Sequence, residues 1–456
     1  MTTVSIKKIA AAALAAVMVI AALMPAEASF AAVKKYTSKG IALARYKSKD
    51  YKPVKNKKLT PRKIKSYHIY EPIFMGKKIE MPHILRKTAG TKNIDLQTLF
   101  HLPKAWKGDT LDLGNPQALC VTPDGNTAYI TYPTKKNSTK GFIVKYDMAR
   151  LRELGMNVPG MMNEMRIVGK YPGRSNFERE IKACIEVGPT FELGHGAAFS
   201  YNPKDGCLWF VAKTKETKTD LWRVNMDTLK PDLCINYTFD KKITFGNNIT
   251  FDKNGKFYLF GNASSKQGKC PKDAIKVYQG TINLKAKKKV SVKLMMNVIK
   301  YPVAADHNVQ AAGYDPKNNR IYMVCNSALL SVPVAKLVKK ALKPSDVWMT
   351  QFDVDREFED FELDKDGNYY LLVNKYPEIM TQMDLAHWNL KESDFNKYGE
   401  YIGPDDYWYD PTQGGDDPAQ GGDDPTQGGD DPTQGGDDPT QNPNGTDDPT
   451  QGGDAN

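Results

Sequence analysis

Five times along this chain an apolar run ends in a tight turn, and a second apolar run follows, centred on an aromatic residue. The turns open at Thr122, Asn202, Asp252, Asp315 and Asp364. They read Thr-Pro-Asp-Gly, Asn-Pro-Lys-Asp-Gly, Asp-Lys-Asn-Gly, Asp-Pro-Lys-Asn-Asn and Asp-Lys-Asp-Gly. Each supplies an Asp, Asn or Thr able to bond its own backbone, and a Gly or Asn for positive φ, which is the chemistry of a β-hairpin. Val121, Tyr201, Phe251, Tyr314 and Leu363 directly precede the turns, and Tyr129, Trp209, Tyr258, Tyr322 and Tyr370 follow in nearly the same register. The last three copies place Asn262, Asn326 and Asn374 four residues further on. Five aligned copies make this a repeat protein.

A third strand follows each hairpin, at 141–146, 220–226, 274–282, 328–335 and 378–383. Further strand-like runs stand at 234–239, 290–298 and 347–352. Tandem four-stranded units of this length predict an all-β, five-bladed β-propeller over residues 93–395. The last unit lacks a fourth strand, because helix-like residues 385–394 follow its third. A spare alternating strand at 93–100 precedes the first unit, so it is expected to complete the last blade and close the ring, leaving no large open edge. Residues 60–92 leave room for a sixth blade. The turn-to-turn spacings are 80, 50, 63 and 49 residues. The largest insertion, 157–182 with Met161, Met162 and Met165, is therefore expected between the first and second blades.

Outside the repeats the chain changes character. Residues 1–28 read as a signal peptide, with basic Lys7 and Lys8, an apolar run over 9–24 and Ala26-Glu27-Ala28 at the cleavage position. That run is short for a membrane-spanning helix, and no other approaches membrane length. The mature chain is thus expected to be secreted, without a transmembrane segment. Residues 29–92 form a basic arm: between 33 and 108 there are twenty Lys or Arg against four acids. Residues 404–456 repeat Asp-Asp-Pro-Thr-Gln-Gly-Gly and are expected to be a disordered spacer, having almost nothing apolar to bury. This tail carries fourteen aspartates and no Lys or Arg, so without it the formal charge rises from +11 to +25. Such a body favours anionic or glycan polymers of a cell envelope over nucleic acid. The six cysteines show no Cys-x-x-Cys spacing, and disulfides and free buried thiols both fit them. No metal site and no cofactor is expected.

In a propeller the first strand of each hairpin lies innermost. Five residues before the turns stand Gln117, Ala197, Asn247, Gln310 and Glu359; seven before stand Asn115, His195, Phe245, Asn308 and Glu357. The strand period of two places both sets on one face. Gln117, His195, Asn247, Gln310, Glu357 and Glu359, with His307 nearby, therefore form a candidate channel mouth suited to a hydroxylated or polar ligand. No catalytic constellation emerges. The acids of this ring come from one blade, whereas a glycosidase needs carboxylates converging across the bond it cleaves, and no Gly-x-Ser-x-Gly occurs. The glycines around His195 fit close backbone packing.

The run Gly194-His195-Gly196-Ala197-Ala198-Phe199-Ser200-Tyr201-Asn202-Pro203-Lys204-Asp205-Gly206-Cys207-Leu208-Trp209 resembles helveticin J-like proteins, as do Gly246-Asn247-Asn248-Ile249-Thr250-Phe251-Asp252, Gly313-Tyr314-Asp315-Pro316-Lys317 and Tyr370-Leu371-Leu372-Val373-Asn374. These are large secreted class III bacteriocins, and related extracellular proteins, of lactic acid bacteria. The resemblance covers 93–390 and neither arm nor tail. It implies a secreted antibacterial protein acting on the envelope of Gram-positive cells, with no assigned catalytic residues. A non-lethal wall-associated adhesin or lectin is the second expectation, and an envelope-polysaccharide hydrolase the third.

Overall fold

The computed structural model describes residues 33–41, 52–54, 66, 68 and 81–403, apart from 109, 137, 171–174, 197–198, 216–217, 240–247, 263–273, 296, 301–309 and 340. The expected signal peptide, the Asp-rich tail, Asn247 and His307 lie outside the described residues.

The chain is a five-bladed β-propeller, and the hairpin turns explain its repeat. Asp252 Oδ1 accepts from the backbone N–H groups of Asn254 and Lys256 at 2.9 and 3.0 Å. Asp364 Oδ1 does the same for Asp366 and Asn368, both at 2.9 Å. The aromatic that recurs after the turn reaches back to it. Tyr258 and Tyr370 donate their hydroxyls to Asp252 and Asp364 at 3.0 and 3.2 Å, and Trp209 Nε1 donates to Asp205 at 3.1 Å. A large ring is thereby buried with its polar tip satisfied, which is why this register favours Tyr or Trp.

The innermost strands are Ala118–Val121, Phe199–Asn202, Thr250–Phe251, Ala311–Asp315 and Phe358–Leu363, each paired to the next strand of its own blade. Each lies beside the innermost strands of both neighbouring blades, so they form a closed ring. Strand alternation serves two neighbours at once. Leu119 and Val121 join the core shared with blade 5, while Ala118 and Cys120 join the core shared with blade 2. Five such inter-blade cores run round the ring.

Closure is as expected. Leu96–His101 pairs antiparallel with Glu378–Gln382 and supplies the fourth strand of blade 5. The backbone N–H of Asp384 donates to Gln97 Oε1 at 2.8 Å, a contact between residues 287 positions apart. The helix-like stretch after blade 5 resolves into two 3-10 turns, Leu385–Trp388 and Glu392–Asp394.

Residues 81–92 belong to the outer edges of existing blades, and the ring has five. Ile84–Leu85 adds to the closing strand and Lys87–Gly90 to Trp348–Phe352 of blade 4. Lys34–Ile41 pairs parallel with Lys230–Phe239 of blade 2, and Lys52–Val54 pairs parallel with Asn297–Lys300 of blade 3. The described parts of the arm thus cover edges that would otherwise present unpaired backbone. Blade 1 receives no such strand among the described residues.

The methionine-rich insertion lies inside blade 1, between its third strand Lys140–Asp147 and its fourth, Ile185–Val187, not between blades 1 and 2. It forms helices Met148–Glu153, Met162–Ile167 and Asn176–Ala183. Asp147 and Ser175 cap the first and last of these through side-chain oxygens, satisfying otherwise orphaned N–H groups. Met156, Met165 and Val168 pack with Leu99, Phe100 and Leu102, so the insertion presses on the closing strand. Cys120, Cys184, Cys207 and Cys234 are free thiols. No helix among the described residues is long and apolar enough to cross a membrane.

Candidate functional site

Inner strands run from the mouth to the hairpin turns, and the second strands run back. Residues just before an inner strand and just after a second strand therefore meet at one end of the channel. In blade 5 this pairs Glu357 and Glu359 with Asn374, whose N–H donates to the Glu357 carbonyl at 2.9 Å. The Asn374 side chain has a fixed orientation, because its Oδ1 accepts from Lys375 N at 2.7 Å. Its two Nδ2 hydrogens go to Glu359 Oε1 at 2.9 Å and to Asn115 Oδ1 of blade 1 at 2.8 Å. Gln117 donates to the same Asn115 oxygen at 3.3 Å. Lys375 Nζ lies 3.1 Å from Glu357 Oε2. One asparagine thus ties the two blades together across the mouth.

Three of the expected residues, Gln117, Glu357 and Glu359, are brought into this cluster. His195 is exposed on the neighbouring bend. Gly194 and Gly196 both hold positive φ, at 73° and 83°, and a Cβ on Gly196 would lie 3.5 Å from Gln117 Cβ. The glycines therefore have a conformational role, and Gly196 brings the bend that carries His195 against Gln117. The Gly196 carbonyl accepts from Thr131 Oγ1 at 2.7 Å, which fixes the bend. Gln310, half-exposed at the start of the blade 4 strand, has its N–H bonded to Val324 and no described contact with the cluster. Asn374 was visible in the sequence as a recurring asparagine. Its place at the mouth follows only once the return direction of the second strand is considered.

Burial, reinforced by the Glu357 carboxylate, pushes the Glu359 carboxyl up to about 8, against the opposing hydrogen bond from Asn374. At neutral pH Glu359 is largely protonated, with one oxygen accepting from Asn374 and one O–H left to donate. Deeper along the same strand, burial likewise raises Asp360 and Glu362 well above the carboxylate range. Asp360 is committed to structure, since its Oδ2 accepts from Leu119 N of blade 1 at 2.9 Å.

A second buried group lies at the closure. Glu378 Oε1 accepts from Arg356 at 2.9 Å; its Oε2 accepts from Thr98 Oγ1 at 2.6 Å and from His83 Nδ1 at 3.0 Å. His101 Nδ1 stands 3.8 Å from that Oε2, and His101 Nε2 donates to the Met81 carbonyl at 3.2 Å. Donor atoms of His83, His101 and Glu378 lie within 4.8 Å of one another, a spacing that allows a metal ion. The electrostatics oppose it. Arg356 already compensates the carboxylate, and Arg166 stacks on Tyr376 at 3.5 Å beside both histidines. A dication would enter a dry site already holding balanced charge, at a large desolvation cost. We assign the group to holding the ring closed.

Burial would raise Glu378, but its charged and hydrogen-bonding partners outweigh that and hold it well below the usual carboxylate range. Burial lowers His83, and burial together with His83 pushes His101 down to about 3. With both imidazoles neutral, Arg356 is the lasting counter-charge.

No protein-family model and no curated protein matches the chain. Among solved structures it is similar to a streptogramin B lyase, at 11% identity with a TM-score of 0.30, covering 59% of this chain and 93% of that one. A structural-genomics protein of unknown function from Bacteroides thetaiotaomicron gives 13% identity and a TM-score of 0.32, covering 66% and 68%. A glucose dehydrogenase gives 9% and 0.30, covering 67% and 97%. At these identities and scores nothing about activity transfers.

Proposed function

We propose that this chain is an exported antibacterial propeller of helveticin-like character that binds anionic or glycan components of the Gram-positive cell envelope. The observation that carries the reading is the mouth. Asn115, Gln117, Asn374 and a protonated Glu359 set amide and carboxyl groups across two blades, with His195 beside them, an array matched to ligand hydroxyls. The basic body draws the protein to anionic surfaces. The test is purified protein applied to live indicator cells and to isolated walls. Killing together with wall binding that Asn374→Ala weakens supports the reading. Salt-sensitive binding without killing moves it to an adhesin or lectin. Absence of binding to cells and walls at low salt overturns it.

One observation favours a second reading, an envelope-polysaccharide hydrolase. Glu359, raised to about 8 beside the Lys375-paired Glu357, is a carboxylic acid able to donate a proton at neutral pH. Sugar released from isolated walls, and lost in Glu359→Gln, would establish it. Intact walls after prolonged incubation would dismiss it.

A further inference from the structure

Away from the mouth, the outer rim between blades 1 and 2 carries two adjoining cavities of about 660 and 430 Å³. They share Thr190, Thr228 and Lys230, so they make one groove of two chemistries. The larger half has Lys107 and Lys230 on its walls and Phe142 in its floor, and no carboxylate lines it among the described residues. The smaller half is walled by Phe191 and Trp222, with Asn225, Glu192 and Asp232 at its margin. Trp222 is backed by the buried Phe210 ring, stacked at 6.1 Å and 6°.

The groove is held in shape before any ligand arrives. Asn225 Oδ1 accepts from Asp227 N, Thr228 N and Thr228 Oγ1 at 3.0, 2.9 and 3.2 Å, which fixes the turn leading to Lys230. That turn packs tightly on the blade 1 edge, where a Cβ on Gly188 would lie 2.6 Å from Leu229 Cβ. Asp232 is held by a bidentate pair with Arg223, at 2.9 and 2.6 Å. Two threonine hydroxyls are oriented as well. Thr110 donates to the Lys107 carbonyl at 2.9 Å, and Thr228 donates to Asn225. Their protons are spent, so both offer acceptor lone pairs to a ligand, while the two lysines offer cationic donors. Cations for an anion, acceptors for hydroxyls and an aromatic wall for a carbon skeleton define a ligand that alternates phosphate with polyol or sugar.

We propose that this rim groove binds a polyol-phosphate or glycosyl-phosphate chain, a phosphate between Lys107 and Lys230 and the adjoining polyol or sugar unit against Trp222. The proposal names a second site under the envelope-binding reading and relies on that reading only for the source of the ligand. The probe is a defined glycerol-phosphate oligomer titrated into the full chain at low salt. The comparison variants are Lys107→Gln/Lys230→Gln, Trp222→Leu and the mouth variant Asn374→Ala. Oligomer affinity should fall at least tenfold in the double lysine variant, with a shallower salt dependence, and severalfold in Trp222→Leu. It should be unchanged in Asn374→Ala. A neutral glucan of equal length should not compete. Full affinity in the double lysine variant, no binding by the wild-type chain, or equal competition by single-stranded DNA of the same phosphate number would each overturn the proposal. Loss of oligomer binding in Asn374→Ala alone would place the ligand at the mouth and overturn it too. Undiminished wall binding in the mouth variant, with oligomer binding still lost in the double lysine variant, would strike only the mouth reading.

Discussion

Glu359 and Glu378 are both buried in blade 5, and they rest in opposite charge states. Glu378 meets a guanidinium, a hydroxyl and an imidazole N–H, and stays ionised. Glu359 meets one amide and a neighbouring carboxylate, and holds its proton to about pH 8. Burial is common to both, so partners decide. Where a full set of donors surrounds the charge, the residue serves the architecture. Where the set is incomplete, a proton or a ligand must complete it, which is why the mouth is the binding site we propose.

The sharpest way to break this comparison is to remove one partner of the closure. Glu378→Ala should cost about 3–5 kcal/mol in urea unfolding, because it strands Arg356 in a dry interior. Adding Arg356→Leu should cost less than the sum of the two single changes; additivity would show that the two charges do not interact.

Titration should separate the sites next, since their signs differ. His101 is lowered from 6.5 to about 3 and Glu378 is lowered too, so at the closure the unfolded chain takes up more protons as pH falls. That contribution is complete near pH 7 and drains away below about 6.5. Glu359 is raised from 4.5 to about 8, so its stabilising contribution is complete below pH 4.5 and is lost as pH climbs to 8. Thermal unfolding across pH 4 to 9 should show both limbs. Glu359→Gln, which keeps an acceptor for Asn374, should make the alkaline limb shallower and leave the acid limb unchanged, the remainder coming from the buried Asp360 and Glu362. An unchanged alkaline limb would remove Glu359 as its cause.

Asn374→Ala should lower wall binding about tenfold while costing about 1–2 kcal/mol of stability, since its three side-chain hydrogen bonds, to Asn115, Glu359 and the Lys375 backbone, are lost. Gly196→Ala should be the mildest change, roughly 1 kcal/mol for a side chain held at a φ of 83°. It should affect binding only through the placement of His195.

Much of the fold was readable because hairpins are local. A turn such as Asp364 to Gly367 contains its own hydrogen-bonding partners, and the closing strand followed from counting which blade lacked one. The closure group was not readable: His83, Thr98, His101, Arg356 and Glu378 become neighbours only after the ring forms, and no spacing links them. The arm was equally opaque, because strands laid on an outer edge need no hydrophobic alternation of their own. Asn374 marks an intermediate case, since the recurring asparagine was visible but its destination depended on strand direction. The insertion inside blade 1 is hidden for a similar reason: spacing between turns cannot tell which side of an outer strand has grown.

The closing strand also imposes a schedule on the chain. Leu96–His101 is made early, yet its partner Glu378–Gln382 emerges only when nearly all of the propeller has been synthesised. Until then the ring is an open arc with an unsatisfied strand at each end, and its longest loop closure is deferred to the last step. Any chain interrupted before residue 378 keeps Leu96–His101 but lacks the strand that pairs with it. Such a chain is left with an open strand edge, the kind of edge that invites aggregation, while a complete chain seals itself.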